Sequence, residues 1–236
     1  MSRTAKQFFY GSFYCALLAL VVLAIIPRTE EARPIPSPAS EELRPLEIRG
    51  SVTVMKASDG SAAFLARIWN PNATHAASSF PYSFRVVQEG EVTTETPRRN
   101  GFVYPLETTA LVETLPSAMF AEDADVTLVV GTPTWDAVEF SLRPALVLVR
   151  AETSSDDIGA FVEGEVRNTG VVTAATTRIA AIVKDSSGFP LFAAQTLLES
   201  VPGGASRTFF IRFPRDKGLL DLISPGGTEL IMEAQP

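Results

Sequence analysis

The chain has 236 residues, a formal net charge of −7, one histidine and one cysteine. A mildly acidic balance speaks against nucleic-acid binding and against broad adhesion to anionic lipid headgroups. One cysteine excludes an intrachain disulfide, and one histidine leaves no His-based metal cluster. Cys15 lies within the uncharged run 8–26 expected in the membrane, away from His75, so no Cys–His nucleophile pair forms and no metal, cofactor or enzymatic activity is expected.

Residues 8–26 form a run of 19 positions without a charge. At about 1.5 Å rise per residue such a helix spans roughly 28 Å, close to the hydrocarbon thickness of a bilayer. Arg3 and Lys6 precede it, while Arg28 and Arg33 follow among Glu30 and Glu31. That bias places the N-terminus in the cytoplasm and the bulk of the chain outside. The competing reading is a cleaved signal peptide. It requires a shorter apolar core, and Ile25, Ile26 and Pro27 occupy the positions where its small-residue cleavage site would lie. Residues 1–27 are therefore expected to be a cytoplasmic N-terminus and an uncleaved, membrane-spanning signal-anchor. Residues 28–45 carry Pro34, Pro36, Pro38 and Pro45 among charged and small residues, an extended linker that reads as a stalk.

Beyond the stalk the pattern is that of strands. Residues 46–55 alternate and turn at Ser58-Asp59-Gly60, and residues 62–69 follow with Phe64, Ala66 and Ile68 on one face. Pro71 ends that strand, since it has no N–H and restricts Asn70. Strands are expected over 82–88, 92–96, 108–114, 126–130 and 137–142, with a helical turn near 116–121. A second series follows at 145–153, 159–166, 176–183, 192–198, 208–213 and 228–233, with a short helix near 216–223. Turn signals recur every eight to twelve residues, the spacing of sandwiches rather than of parallel α/β sheets. The fold class expected is all-β: two tandem immunoglobulin-like β-sandwich domains, 46–142 and 143–236, behind one transmembrane helix.

The tandem reading rests on a register. Asn70 and Asn168, Gly90 and Gly188, Asp59 and Asp157, and Pro116 and Pro214 each stand 98 residues apart. Asn at a strand end can mimic a backbone turn, so the default role of Asn70 and Asn168 is architectural. A partner-binding role falls first on what the first copy alone has: the motif Trp69-Asn70-Pro71-Asn72, with Trp69, Asn70 and Asn72 as its candidates, and the run Arg98-Arg99-Asn100-Gly101, whose basic pair Arg98 and Arg99 is read as a hairpin tip. Trp69 alternates away from Phe64, Ala66 and Ile68 and is expected to face outward. His75 stands in a polar loop with no ligand set around it.

The run Ala66-Arg67-Ile68-Trp69-Asn70-Pro71-Asn72, followed by Phe80-Pro81-Tyr82-Ser83-Phe84-Arg85-Val86, resembles the late-embryogenesis-abundant type 2, or WHy, domain. The second copy, with Val166-Arg167-Asn168-Thr169-Gly170, Asp185-Ser186-Ser187-Gly188-Phe189-Pro190 and Pro202-Gly203-Gly204, is similar to the FxLYD-type domains of membrane-anchored prokaryotic surface proteins. The resemblance implies an exported or membrane-tethered β-sandwich without catalytic activity and with no shared ligand. The function expected is a single-pass, extracytoplasmic interaction or scaffold protein of the cell envelope, at the plasma membrane, with a protein or envelope-polymer partner. The alternative is a bitopic structural subunit of a larger membrane or secretion-type assembly.

Overall fold

The computed structural model describes residues 42–116, 124–139, 143–156, 158–214, 216 and 227–236. The expected transmembrane segment and stalk to residue 41, and nearly all of the helical turns expected at 116–121 and 216–223, lie outside the described residues. Among the described residues no helix is long and apolar enough to cross a membrane.

What is described is all-β. The first series of strands is β1 (Glu47–Lys56), β2 (Ala62–Trp69), β3 (His75–Gln88), β4 (Glu91–Glu95), β5 (Arg99–Val103), β6 (Thr108–Leu115), β7 (Asp125–Val130) and β8 (Thr134–Ala137). The second is β9 (Leu146–Asp156), β10 (Gly159–Asn168), β11 (Ala174–Lys184), β12 (Pro190–Val201), β13 (Ser206–Arg212) and β14 (Thr228–Gln235). They form four antiparallel sheets. Sheet 1 runs β1-β2-β6, and in sheet 2 the long β3 pairs β4 and β5 on one side and β7 and β8 on the other. Sheet 3 runs β13-β10-β9 and sheet 4 runs β12-β11-β14. No described strand of one series pairs with a strand of the other.

The 98-residue register reappears in three dimensions. Ala66 faces Leu111 across β2–β6, and Gly164 faces Phe209 across β10–β13, both partners displaced by the same 98 positions. Gly90 and Gly188 take the same left-handed backbone, with φ of 85° each. Leu106 (φ 57°) occupies the left-handed position that Gly204 (φ 76°) fills in the second series.

Period-2 alternation explains how the sheets stack. In β2, Phe64, Ala66 and Ile68 join Phe80, Tyr82, Phe84, Val86 and Leu111 in a core between sheets 1 and 2. The intervening Ala63 and Leu65, with Ala110 and Val112 of β6, join a second core that includes Ile179, Ala180, Ile182 and Phe192 of sheet 4 and Val162, Phe209 and Ile211 of sheet 3. Sheet 1 is therefore buried on both faces, one against sheet 2 and the other against sheet 4. Small residues on the second face, Ala63 and Ala110 against Ala180 and Ala193, allow close approach. Residues Leu43–Pro236 accordingly form one compact unit.

Three local expectations need correction. β3 begins at His75, seven residues earlier than the expected start at Tyr82, and carries Pro81 in its middle. Proline is tolerated there because the ladder changes hands, from β8 up to Ser79 to β7 from Tyr82, and the Pro81 carbonyl accepts a bond from the Gly131 N–H (2.8 Å). The expected strand at 137–142 is instead β8, Thr134–Ala137, with residues 140–142 outside the described set. Arg99, Asn100 and Gly101, read as a hairpin tip, belong to strand β5. The long β3 offers them a partner, and Gly101 lies under the Phe80 ring, where a Cβ would stand 2.3 Å from the ring edge. Gly101→Ala is expected to destabilise by about 1–3 kcal/mol through overpacking, read as a lower denaturant midpoint at unchanged slope.

Candidate functional site

Asn70 ends β2 and is fully buried. Its amide donates to the carbonyls of His75 (2.8 Å) and Val103 (3.4 Å), and its Oδ1 accepts from the Asn72 N–H (3.0 Å) and side chain (3.0 Å). Asn168 repeats this at the end of β10, donating to Val172 (2.7 Å) and Val201 (2.9 Å) and accepting from the Gly170 N–H (3.1 Å). Both Asn are structural staples that satisfy carbonyls where ladders stop. Asn72 has its own function in the fold. It accepts from the Arg44 N–H (2.8 Å) and donates to the Arg44 carbonyl (2.9 Å), gripping the chain where it enters β1.

Trp69 is half-buried rather than free on the surface, with the Arg49 guanidinium 4.0 Å above its ring. Arg99 is exposed, and its Nε donates to Glu113 (3.3 Å), while Arg98 lies exposed at the β4–β5 connection near Glu95. Arg98 and Arg99 stand at the start of β5, whereas Asn70 meets the other end of that strand at Val103. The five residues singled out from sequence thus fall into two groups and do not converge on one site. His75 begins β3 with its ring against the Thr74 hydroxyl (2.9 Å).

The strands that Asn70 ties together wall a cleft of about 690 Å³. Across β3–β8, Ala77 and Trp135 pair and face sheet 1, so Ala76 and its partner Asp136 face the other way, into the cleft. On β5, Val103 pairs with Ala77, which turns Phe102 and Tyr104 to the cleft side, where they pack edge to face at 4.6 Å. Ala137, Val138 and Val172 complete an apolar wall. Arg143 closes one side. It stacks 4.0 Å over the Tyr104 ring and forms a two-pronged pair with Glu107, which neutralises it. Asp136 and Glu139 stand exposed at the rim, and neither makes an ion pair among the described residues. Sequence reasoning missed this floor. The alternation of Phe102, Val103 and Tyr104 after Gly101 was the available signal.

Burial pushes the Tyr104 phenol up to about 12 against the opposing pull of Arg143. Among the described residues its hydroxyl has no hydrogen-bond partner. Tyr104→Phe is expected to raise stability by about 1 kcal/mol in chemical denaturation, because a buried donor without a partner carries a desolvation cost. An unchanged midpoint would show that the hydroxyl is solvated in solution.

A buried ionic cluster joins the two series nearby. Arg178 of β11 pairs with Glu233 of β14 (3.2 Å) and donates to the Asn100 carbonyl of β5 (2.5 Å). Tyr82 and Arg99 both donate to Glu113 at 3.3 Å. At the other edge, one guanidinium nitrogen of Arg67 of β2, Nη2, donates to both Glu229 oxygens (2.9 and 3.0 Å), and Lys184 meets the same carboxylate at 2.7 Å. Burial raises Glu233 to about 7 despite Arg178. Burial likewise raises Glu113 and pushes Tyr82 up to about 12, whereas the bonds from Lys184 and Arg67 outweigh burial and hold Glu229 low. Among the described residues no group of three or more His, Cys, Asp or Glu side chains is placed to hold a metal ion.

No family model and no curated protein matches the chain. Among solved structures it is similar to red sea bream transglutaminase at 12% identity, over 81% of this chain and 28% of that one, with a TM-score of 0.24. The chain thus spans less than a third of that protein's length.

Proposed function

We propose that this chain is a non-enzymatic interaction or scaffold protein of the cell envelope. It is held at the plasma membrane by its N-terminal helix and presents two fused immunoglobulin-like sandwiches, 46–142 and 143–236, outside the cytoplasm. The observation that carries the reading is the junction. Sheets 1 and 4 share one continuous core, spanned by the Arg67–Glu229 pair, and Arg178 of sheet 4 donates to the Asn100 carbonyl of the first series, so the two copies act as one body with a cleft at the end where the chain enters. Strand directions support that placement: Arg44, the Asn70 loop, Tyr104 and Val172 all belong to the same end of their sheets. Asn72 grips Arg44 there with two hydrogen bonds, tying the chain ahead of β1 to the loop that follows β2. Trp69, Asn70 and Asn72 serve this end of the body, and Arg98 and Arg99 remain a separate basic feature of the first copy.

The test is crosslinking of the full-length chain in native membranes, followed by purification and mass spectrometry. Recovery of a reproducible envelope protein or polymer supports the reading, while a chain recovered alone overturns it. A large stoichiometric assembly in mild detergent would favour the structural-subunit alternative.

A further inference from the structure

We propose that the cleft beside β8 docks a short extended segment of a partner protein in which an aliphatic side chain adjoins a lysine or arginine. This rests on the interaction reading above and names the chemistry of its partner. The cleft volume of about 690 Å³ falls in the range that takes one or a few side chains. Its floor and wall, Ala76, Phe102, Tyr104, Val138 and Val172, are apolar and favour an aliphatic group.

Charge then selects the neighbour. Arg143 is spent on Glu107, so the charge left uncompensated at the rim is that of Asp136 and Glu139. A cation bound between them loses little solvation, because both carboxylates are exposed. The backbone adds a third element. β8 pairs only with β3 among the described strands, so its second edge offers unpaired N–H and C=O groups to an extended segment. A glycan is the poorer fit, since the floor and wall are mostly apolar and the polar groups, Ser78, Gln235, the Tyr104 hydroxyl, the Glu107-paired Arg143 and the two carboxylates, are spread around them.

The probe is a synthetic acetylated and amidated hexapeptide alternating lysine with valine and leucine, titrated against the full chain by calorimetry. The control peptide replaces each lysine with glutamate. The lysine peptide is expected to bind saturably, about tenfold more weakly to the D136N/E139Q variant and about tenfold more weakly at high salt. Both substitutions are at exposed positions and leave the fold intact. Removing two carboxylates elsewhere, in E89Q/E91Q, is expected to leave binding unchanged. Equal binding of the two peptides, indifference to D136N/E139Q, no saturable binding of the lysine peptide, or saturable binding of a soluble β-linked hexasaccharide in its place would each overturn the proposal. Recovery of a crosslinked envelope partner together with no peptide binding would refute this inference alone and leave the interaction reading standing.

Discussion

At pH 8, where Glu233 is ionised, Arg178→Ala is expected to destabilise the folded chain by about 3–5 kcal/mol, the range seen when one member of a buried ion pair is removed and the other is left uncompensated. Arg178 and Glu233 are among the most enclosed charges of the molecule, with side chains 14% and 13% exposed. The same guanidinium also donates to Asn100 and lies 6.0 Å from the Tyr82 ring, so its loss strips partners from both series of strands at once. Equilibrium denaturation of the full chain measures the cost, and a change under about 1 kcal/mol would mean that water enters the junction freely.

The same pair imposes a pH dependence whose sign is fixed. Glu233 is raised from 4.5 to about 7 in the folded chain, so between those values the folded state holds a proton that the unfolded state has released. Its contribution is complete below about 4.5 and is lost as pH rises through 7, about 3 kcal/mol in all. Glu113, also raised by burial, acts in the same direction. Arg178 lies nearest Glu233 and Arg99 nearest Glu113, with Arg178 also lowering Glu113 and Glu107 close enough to Glu233 to raise it further. Glu95, Asp156 and Glu229 are lowered, so their contributions are complete above the ordinary carboxylate range and fade only as pH falls below it. Stability should therefore fall from pH 5 to pH 8, and Glu233→Gln should remove most of that slope. A wild-type profile flat across this window would contradict the assignment.

Asn70→Ala and Asn168→Ala are each expected to cost about 3 kcal/mol, because each strands two carbonyls and at least one N–H in a fully buried setting. Asp at either position keeps the shape but turns a carboxylate toward two carbonyl oxygens, so it should be worse than Ala at neutral pH. The two sites share no partners, and the double alanine variant should show additive losses within about 0.5 kcal/mol. Unfolding in urea distinguishes the cases. Loss of less than about 1 kcal/mol at both positions would show that the loops re-pair with water.

Much of this architecture was legible in the sequence, for identifiable reasons. The bounds of β2 and the inward face of Phe64, Ala66 and Ile68 follow from alternation alone, because side chains in a strand repeat with period 2. The equivalence of Asn70 and Asn168 followed from spacing, and the hydrogen bonds each makes to a carbonyl 33 residues onward bear it out. Arg99–Val103 was misread because Arg-Arg-Asn-Gly has turn chemistry locally, whereas its strand depends on the upstream half of β3 being there to pair with it. The cleft was invisible for a related reason. Ala76, Phe102, Asp136 and Val172 are scattered over about a hundred residues, and only strand pairing puts them on one face.

By itself the sequence determined the strand content, the tandem register, the staple role of the two Asn residues and the expectation of a membrane anchor. All of these follow from local periodicity, punctuation and hydropathy. The tertiary structure decided that β2 is buried on both faces, that Ala63 and Leu65 meet sheet 4 rather than solvent, and that Arg178 and Glu233 become a shared, proton-sensitive junction. The physical reason is that alternation reports which side chains share a face, but what covers that face depends on the complementarity of surfaces distant in the chain.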